Sequence, residues 1–204
     1  SFAERTARSF IPGETVEQAA TTLTQRYPQR VFTYDLVGEI VQSEPAAERY
    51  SKKCSEALAQ LERIYGRNST DQHGKPRINL SLKLSACDEH FDPIDTQSTY
   101  TRVKQRVMPI FQQAMEIGAF INVDMEHNQY REMTNEIFMK LISEPEFSTY
   151  PHLGIAQQAY LKDSGDDIEQ LLKFSKQRKT PFWIRLVKGA YWDTEIALAE
   201  QNSW

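Results

Sequence analysis

The sequence predicts a parallel α/β fold, either a doubly wound sheet or a (β/α)8 barrel, on the strength of three observations. Five short segments rich in β-branched and aromatic residues recur along the chain, and each belongs to a unit of strand, loop and helix. Successive units are spaced by about 30 to 47 residues, which suits a barrel of about 250 residues or more. No Gly-x-Gly-x-x-Gly turn follows the first segment, so we favour the barrel over a dinucleotide-binding sheet.

The 204 residues are too few to complete such a barrel, so we expect about its first five strand-helix units. Residues 1–30 are predicted to form a helical lead-in, with a turn at Pro12-Gly13 and one helix after it. Residues 31–204 are predicted to form the N-terminal part of the barrel. The first and fifth strands would then have unpaired edges.

The five predicted strands are short apolar runs with β-forming side chains. They lie at residues 31–37, 78–85, 119–124, 153–159 and 182–187. In the last of them, the β-forming residues are Trp183, Leu186 and Val187. Gly189 and Ala190 follow, and their small side chains would let a ligand approach the backbone closely.

Four longer helices are predicted from apolar residues spaced three and four positions apart. The first begins after Ser43, a candidate N-cap, and the second begins at Thr96 or Ser98. Pro109 should bend the second helix, and Gly118 should end it.

The third of these helices contains the apolar positions between residues 133 and 142. The fourth has Ser164 or Asp166 as its predicted cap.

Composition narrows the function classes. The net charge of −4 and the dispersed basic residues give no basic face for a nucleic acid. No run approaches the length of a membrane span, which leaves peripheral membrane contact open. Cys54 and Cys87 are far apart and fit reduced thiols of a cytosolic protein. We predict no metal site, because Glu126-His127 has no second His or Cys at a suitable spacing.

Four polar residues stand at or near the carboxyl ends of successive predicted strands, where barrel enzymes collect their catalytic groups. They are Lys83, Asp124, Gln158 and Arg185. Each position also has a purely structural interpretation. Lys83 could be an inward residue of the barrel interior that pairs with Asp124. Arg185 and Lys188 could form ordinary ion pairs with neighbouring carboxylates. Asp124 and Glu126 alternate beyond a strand end, so we expect only Asp124 to point into the barrel mouth.

The chemistry of these groups suits an anionic substrate and a cofactor that becomes negatively charged on reduction. The sequence offers the cations Lys83, Arg185 and Lys188 beside the aromatic pair Tyr191-Trp192, without a plausible Ser-His or Cys-His pair. Two other functions stay open. One is a lyase that forms a Schiff base on Lys83 or Lys188, and the other is a non-catalytic segment that only binds.

Four motifs resemble those of the proline dehydrogenase family, in particular the barrel domain of bifunctional bacterial proline utilization A. They are Ser-Leu-Lys-Leu-Ser at 81–85, Asn-Val-Asp-Met-Glu at 122–126, Gln-Ala-Tyr at 158–160 and Arg-Leu-Val-Lys-Gly-Ala-Tyr-Trp-Asp at 185–193. Their order and spacing are kept from about Phe32 onward, and the last motif is long enough to be specific.

The resemblance implies a distorted (β/α)8 barrel that contains FAD and oxidises L-proline to Δ1-pyrroline-5-carboxylate. It further implies electron transfer to membrane quinone from a cytoplasmic protein that associates peripherally with the inner membrane. In the bifunctional members an aldehyde dehydrogenase domain is covalently linked to the barrel.

The resemblance also implies roles for individual residues. Asp124 and Arg185 are the implied catalytic residues, with Arg185 at the flavin N5 and Asp124 balancing the cations. Lys83 would bind the proline carboxylate and Tyr191 would cover the substrate. The implied cofactor-binding residues are Met125, Gln158, Arg185, Lys188, Gly189, Ala190 and Trp192. The family's substrate-binding arginine pair, on the eighth helix, has no counterpart in these residues.

Overall fold

The structure, a computed structural model, describes residues 11–36 and 41–203 and contains a five-stranded parallel sheet. The strands are β1 (Tyr34–Asp35), β2 (Asn79–Leu82), β3 (Phe120–Val123), β4 (Leu153–Gln158) and β5 (Trp183–Val187). They lie side by side in chain order, whereas a doubly wound sheet reverses its order at a switch point. The observed topology is that of a continuous portion of a (β/α)8 barrel, as predicted.

Six α-helices occur in the described residues. They are α1 (Val16–Arg26), α2 (Glu44–Tyr65), α3 (Thr96–Ile117), α4 (Arg131–Ser143), α5 (Ser164–Arg178) and α6 (Trp192–Gln201). Helix α1 lies in the predicted lead-in, and the other five follow the five strands in turn. Short 3-10 helices at Leu84–Cys87 and Asn128–Tyr130 come between a strand and its helix.

The first two strands are shorter than predicted. β1 contains only Tyr34 and Asp35 of the predicted 31–37, and Val37 lies outside the described residues. β2 ends at Leu82 because its pairing with β3 ends there, at the Leu82–Val123 pair. The chain then turns into the 3-10 helix Leu84–Cys87 instead of continuing as a strand to residue 85.

The predicted start of α3 is confirmed, and the predicted cap of α5 is wrong. Asp95 caps α3 by accepting a hydrogen bond from the Ser98 N–H at 3.1 Å, although Thr96 does begin the helix. Helix α5 begins at Ser164, and its N-cap residue is Asp163 rather than Ser164 or Asp166. Asp163 makes no capping hydrogen bond, because its carboxylate accepts one from the Arg131 guanidinium at 2.6 Å.

The predictions for the middle and end of α3 differ in outcome. Gly118 ends the helix in the left-handed conformation, with φ of 70°. A Cβ at this position would approach the Asn68 side-chain oxygen to 2.4 Å, so both backbone and space require glycine. Pro109 lies inside α3, which continues to Ile117. The bend at Pro109 stays a prediction.

The core lies between the sheet and the helices, and it is deepest at the central strands. All four residues of β3 and all six of β4 are buried. β5 is an outer strand of the described sheet, and Trp183 and Leu186 on it are 49% and 63% exposed. The central strands therefore gain most from apolar burial, whereas β5 is held by its pairing with β4.

The Arg178 side chain joins three segments around the end of α5. Its guanidinium nitrogens donate to carbonyl oxygens at the end of α4, in the loop before β4 and in the segment leading into β5. The acceptors are Ile142, Phe147, Tyr150, Thr180 and Pro181, at 2.6–3.1 Å. One planar group thus satisfies five backbone acceptors, one in the last turn of α4 and four in the loops that precede β4 and β5.

We predict that Arg178→Met lowers the free energy of unfolding by about 2–4 kcal/mol, because several partly buried carbonyls lose their donor at once. Urea denaturation of the protein measures the change. Arg63→Met, at an exposed position of α2, is the matched control and should leave the midpoint unchanged. Equal midpoints for the two variants would contradict the structural role of Arg178.

Candidate active site

The carboxyl ends of the parallel strands bring the predicted polar residues to one edge of the sheet. Lys83 and Asp124 directly follow β2 and β3, and Gln158 is the last residue of β4. Arg185 lies in the middle of β5, opposite Ala156 of β4. Because parallel strands in register end together, side chains from four different segments converge here.

Asp124 is at the centre of this convergence. Its Oδ1 accepts hydrogen bonds from Ser81 Oγ at 2.6 Å, Asn122 Nδ2 at 3.1 Å and Arg185 Nη2 at 2.5 Å. Its Oδ2 lies 3.5 Å from Lys83 Nζ. The Asp124 side chain is only 13% exposed, so its carboxylate is fixed by four neighbours and links the two cations.

Lys83 has a second acidic partner that the sequence analysis missed. Its Nζ donates to Asp35 Oδ1 at 2.5 Å, across the end of β1. Burial disfavours the ammonium, but the hydrogen bond to Asp35 and the charges of Asp35, Asp124 and Glu126 outweigh it, so the pKa of Lys83 is raised. Asp35 was missed because the predicted strand ran to residue 37, whereas β1 ends at Asp35.

This environment bears on both alternatives for Lys83. A Schiff-base lysine needs a neutral amine, and a raised pKa keeps the Lys83 ammonium protonated. Lys83 does pair with Asp124, but it follows the end of β2 and also reaches Asp35. It therefore lies at the edge where the strands end and not within a strand of the sheet.

Glu126 approaches the same cluster. Ser85 Oγ donates to Glu126 Oε2, and the charge of Glu126 contributes to the raised pKa of Lys83. Burial raises the pKa of Glu126 itself. β3 ends at Val123, so the alternation of a strand does not extend to residues 124–126 and cannot separate the two carboxylates.

Gln158 and Met125 form a buried corner beside the charged groups. The Gln158 amide nitrogen donates to the backbone carbonyls of Glu126 at 2.6 Å and Met125 at 3.3 Å. Both side chains are buried. The amide is thus fixed by the loop after β3, and its carbonyl oxygen is left as the acceptor that the group can offer.

The segment between β5 and α6 carries the remaining predicted residues. Gly189 has φ of 131°, and a Cβ there would come within 1.6 Å of the Tyr160 ring, so only glycine fits. The Tyr191 ring packs against His127 with centroids 4.2 Å apart. Burial raises the pKa of Tyr191, and the charges of Glu126 and Lys83 also act on it, so it borders the cluster.

Three predicted residues of this segment are not brought into the cluster. Lys188, Ala190 and Trp192 are exposed, and no side-chain hydrogen bond or ion pair in the described ranges joins them to Asp124 or Lys83. They surround the bare backbone of Gly189, next to the buried corner, and offer a cation and an aromatic face to an external group.

A model of the proline dehydrogenase family matches residues 17–204. The chain belongs to the proline dehydrogenase family. Bifunctional protein PutA of Escherichia coli is 28% identical over 201 residues, covering 95% of this chain and 14% of that protein. Proline dehydrogenase 1 of Bacillus subtilis is 27% identical over 186 residues, covering 91% of this chain and 52% of that protein.

Solved structures of the family share the fold. The crystal structure of proline utilization A from Bdellovibrio bacteriovorus, inactivated by N-propargylglycine, superposes with a TM-score of 0.88 at 39% identity. It covers 95% of this chain and 21% of the matched chain. Proline utilization A from Bradyrhizobium japonicum gives a TM-score of 0.78 at 26% identity. The barrel portion predicted from the sequence is confirmed.

Members of the proline dehydrogenase family use FAD, and the residues present fit such a group. Gln158 and Met125 give a buried polar and apolar corner, and Arg185 gives a cation that is 45% exposed. The backbone at Gly189 has no side chain, and the neighbouring Trp192 ring is 54% exposed. A flat ring with a polar edge needs an amide, a cation and an exposed aromatic face, and these three groups are present here.

Among the helices that the structure describes, none has the length and apolar character that crossing a membrane requires.

The burial of Glu126 can be tested by measuring how the stability of the protein depends on pH. Because burial raises its pKa above the ordinary value of 4.5, the folded protein binds this proton more tightly than the unfolded chain does. Its contribution to stability is therefore complete below about pH 4.5 and is lost as the pH rises through the raised value. Glu126→Gln removes this dependence, so the variant should gain stability relative to the unmodified protein between about pH 4.5 and 7.

Urea denaturation at a series of pH values measures this difference. Glu132→Gln, at a side chain that is 89% exposed, is the matched control for a glutamate substitution on the neighbouring helix. A relative stability of the Glu126 variant that falls as the pH rises would contradict the burial of this carboxyl group.

Proposed function

We propose that the chain forms part of an FAD-dependent proline dehydrogenase that oxidises L-proline to Δ1-pyrroline-5-carboxylate. The observation that carries the proposal is the joining of Lys83 and Arg185 through the single carboxylate of Asp124, at the strand ends of a family barrel. This arrangement offers one cation to the substrate and one to the cofactor.

Lys83 would bind the carboxylate of proline. Its ammonium is fixed between Asp35 and Asp124, and its side chain is 20% exposed, so one face remains open to an anionic group. The raised pKa of Lys83 keeps the charge present at neutral pH. Tyr191, held by its contact with His127, would cover the bound ring from the side of α6.

Arg185 would stabilise negative charge during the reaction. The chemistry that FAD supplies when bound is acceptance of a hydride from the proline ring. Arg185 uses Nη2 for Asp124, which leaves its other N–H groups for the cofactor. Asp124 fixes the guanidinium and prevents two unbalanced cations from facing each other. We therefore assign Asp124 and Arg185 as the catalytic residues.

The remaining cofactor contacts follow from position. Gln158 would bind the polar edge of the flavin, with Met125 beside it. Lys188, Gly189 and Ala190 would extend along the cofactor, and Trp192 would flank its nucleotide part. The supporting observations are the buried amide of Gln158 and the exposed Trp192 ring.

The wider setting is also part of the proposal. Residues 1–30 would be a lead-in and residues 31–204 the N-terminal part of the barrel. The protein would act in the cytoplasm, associate peripherally with the inner membrane and pass its electrons to membrane quinone. A covalently linked aldehyde dehydrogenase domain would fit the similarity to proteins named bifunctional PutA.

Lys83→Ala in the complete protein should raise the proline concentration needed for half-saturation by about tenfold or more, because a charged hydrogen bond contributes roughly 1.5–3 kcal/mol. Steady-state kinetics measures this. Pyrrolidine, which lacks the carboxylate, should lose much less, and Lys104→Ala on α3 is the matched lysine control. Normal saturation by proline in the Lys83 variant would remove Lys83 from substrate binding.

Arg185→Met should slow flavin reduction by proline on the order of 100- to 1000-fold, because it removes a cation that stabilises charge developing only during the reaction. Stopped-flow absorbance of the flavin measures the rate, and the flavin content of the purified variant measures retention. Retention should fall less than the rate. An unchanged reductive half-reaction would exclude the catalytic role of Arg185.

A further inference from the structure

The backbone of Lys83 occupies the point where β2 leaves the sheet. The pairing of β2 with β1 ends at Ser81, and its pairing with β3 ends at Leu82. The N–H of Lys83 therefore has no strand partner, and a buried N–H without a partner is unfavourable. It donates instead to the phenol oxygen of Tyr50, at 2.9 Å.

The carbonyl of Lys83 is held in a similar way. It accepts from the Ala86 N–H at 3.2 Å and from the Cys87 thiol at 3.6 Å, both in the 3-10 helix that follows. The two backbone polar groups of Lys83 are thus bound by groups outside the sheet. Its side chain, in contrast, binds Asp35 and Asp124.

Tyr50 is well suited to fix this point. It lies on α2, which packs on β2 and on the 3-10 helix Leu84–Cys87. The residue is 6% exposed, and Cys54 and Cys87 border its hydroxyl group. Burial raises the pKa of Tyr50, so the phenol stays neutral, and its oxygen accepts the hydrogen bond from the Lys83 N–H.

We propose that Tyr50 is a positioning residue for Lys83: by holding the Lys83 backbone at the end of β2, its hydroxyl group determines where the ammonium meets the substrate carboxylate. The proposal rests on the proposed function of Lys83. Tyr50 contacts neither substrate nor cofactor, and it acts only through residue 83.

The position of the Lys83 ammonium depends strongly on this hydrogen bond to the backbone. Its ammonium is at the end of a long, flexible side chain and must serve Asp35, Asp124 and the substrate together. A side chain with many rotamers binds well only if its backbone is fixed, and displacement of a binding group by about 1 Å can cost up to about 100-fold in rate. Loss of the Tyr50 hydroxyl would remove the acceptor of the Lys83 N–H and so release the backbone of Lys83.

Tyr50→Phe in the complete protein with FAD is the test, because it keeps the ring and the core packing. The matched control is Tyr150→Phe, which also removes a buried hydroxyl, one that donates to the carbonyls of Ala119 and Ala114. Both variants should lose stability. Only Tyr50→Phe should raise KM for proline, by about three- to tenfold, with kcat changed less than about twofold.

A double-mutant cycle distinguishes positioning from general loosening. In a Lys83→Ala background, Tyr50→Phe should have no further effect on KM, since there is no ammonium left to misplace. Hydrogen exchange adds a readout that does not depend on activity. Amide exchange in the peptide covering residues 82–87 should be faster in Tyr50→Phe and unchanged in Tyr150→Phe.

An unchanged KM for proline in Tyr50→Phe would overturn the proposal, as would additive effects with Lys83→Ala or unaltered exchange at residues 82–87. Failure of the unmodified protein to oxidise proline would instead refute the proposed function. The exchange experiment would still decide whether Tyr50 holds the backbone of Lys83.

Discussion

The carboxylate of Asp124 is the group on which the rest of the site depends. It accepts hydrogen bonds from β2, β3 and β5 through Ser81, Asn122 and Arg185. Without it, the cations Lys83 and Arg185 would repel each other, and Arg185 would lose its acidic partner. One charged group therefore joins three strands at their functional edge, although β5 is not paired with β2 or β3 in the sheet.

The support around this carboxylate is built in layers. Lys83 is fixed at its ammonium by Asp35 and Asp124 and at its backbone by Tyr50. Gln158 is fixed by the loop after β3, the same loop that carries Glu126. Preorganisation of this kind places binding groups before a ligand arrives, so that little conformational entropy is lost on binding.

The sequence predicted the strands and the four residues at their ends because hydrophobic periodicity and parallel topology together determine which positions share an edge. It did not predict Asp35 as the partner of Lys83, since the predicted strand 31–37 placed Asp35 inside the strand, whereas β1 ends at Asp35. It separated Glu126 from Asp124 by extending strand alternation beyond Val123, where the strand ends. Asp95 and Asp163 were not predicted as N-cap residues because several polar residues cluster at each helix start, and the Asp163 carboxylate binds Arg131 instead of capping α5.

The position of Arg185 opposite Ala156 has a consequence for how the barrel must assemble. Arg185 belongs to an outer strand of the described sheet, so its place depends on the register of β5 against β4. A slip of one residue would move the strand by about 3.3 Å and reverse its faces, directing Leu186 toward Asp124 and the guanidinium away from it. The ion pair between Arg185 and Asp124 forms only in the native register, and a misaligned strand would leave the Asp124 carboxylate without this partner. The same contact that orders the site thus discriminates between correct and incorrect strand pairing during folding.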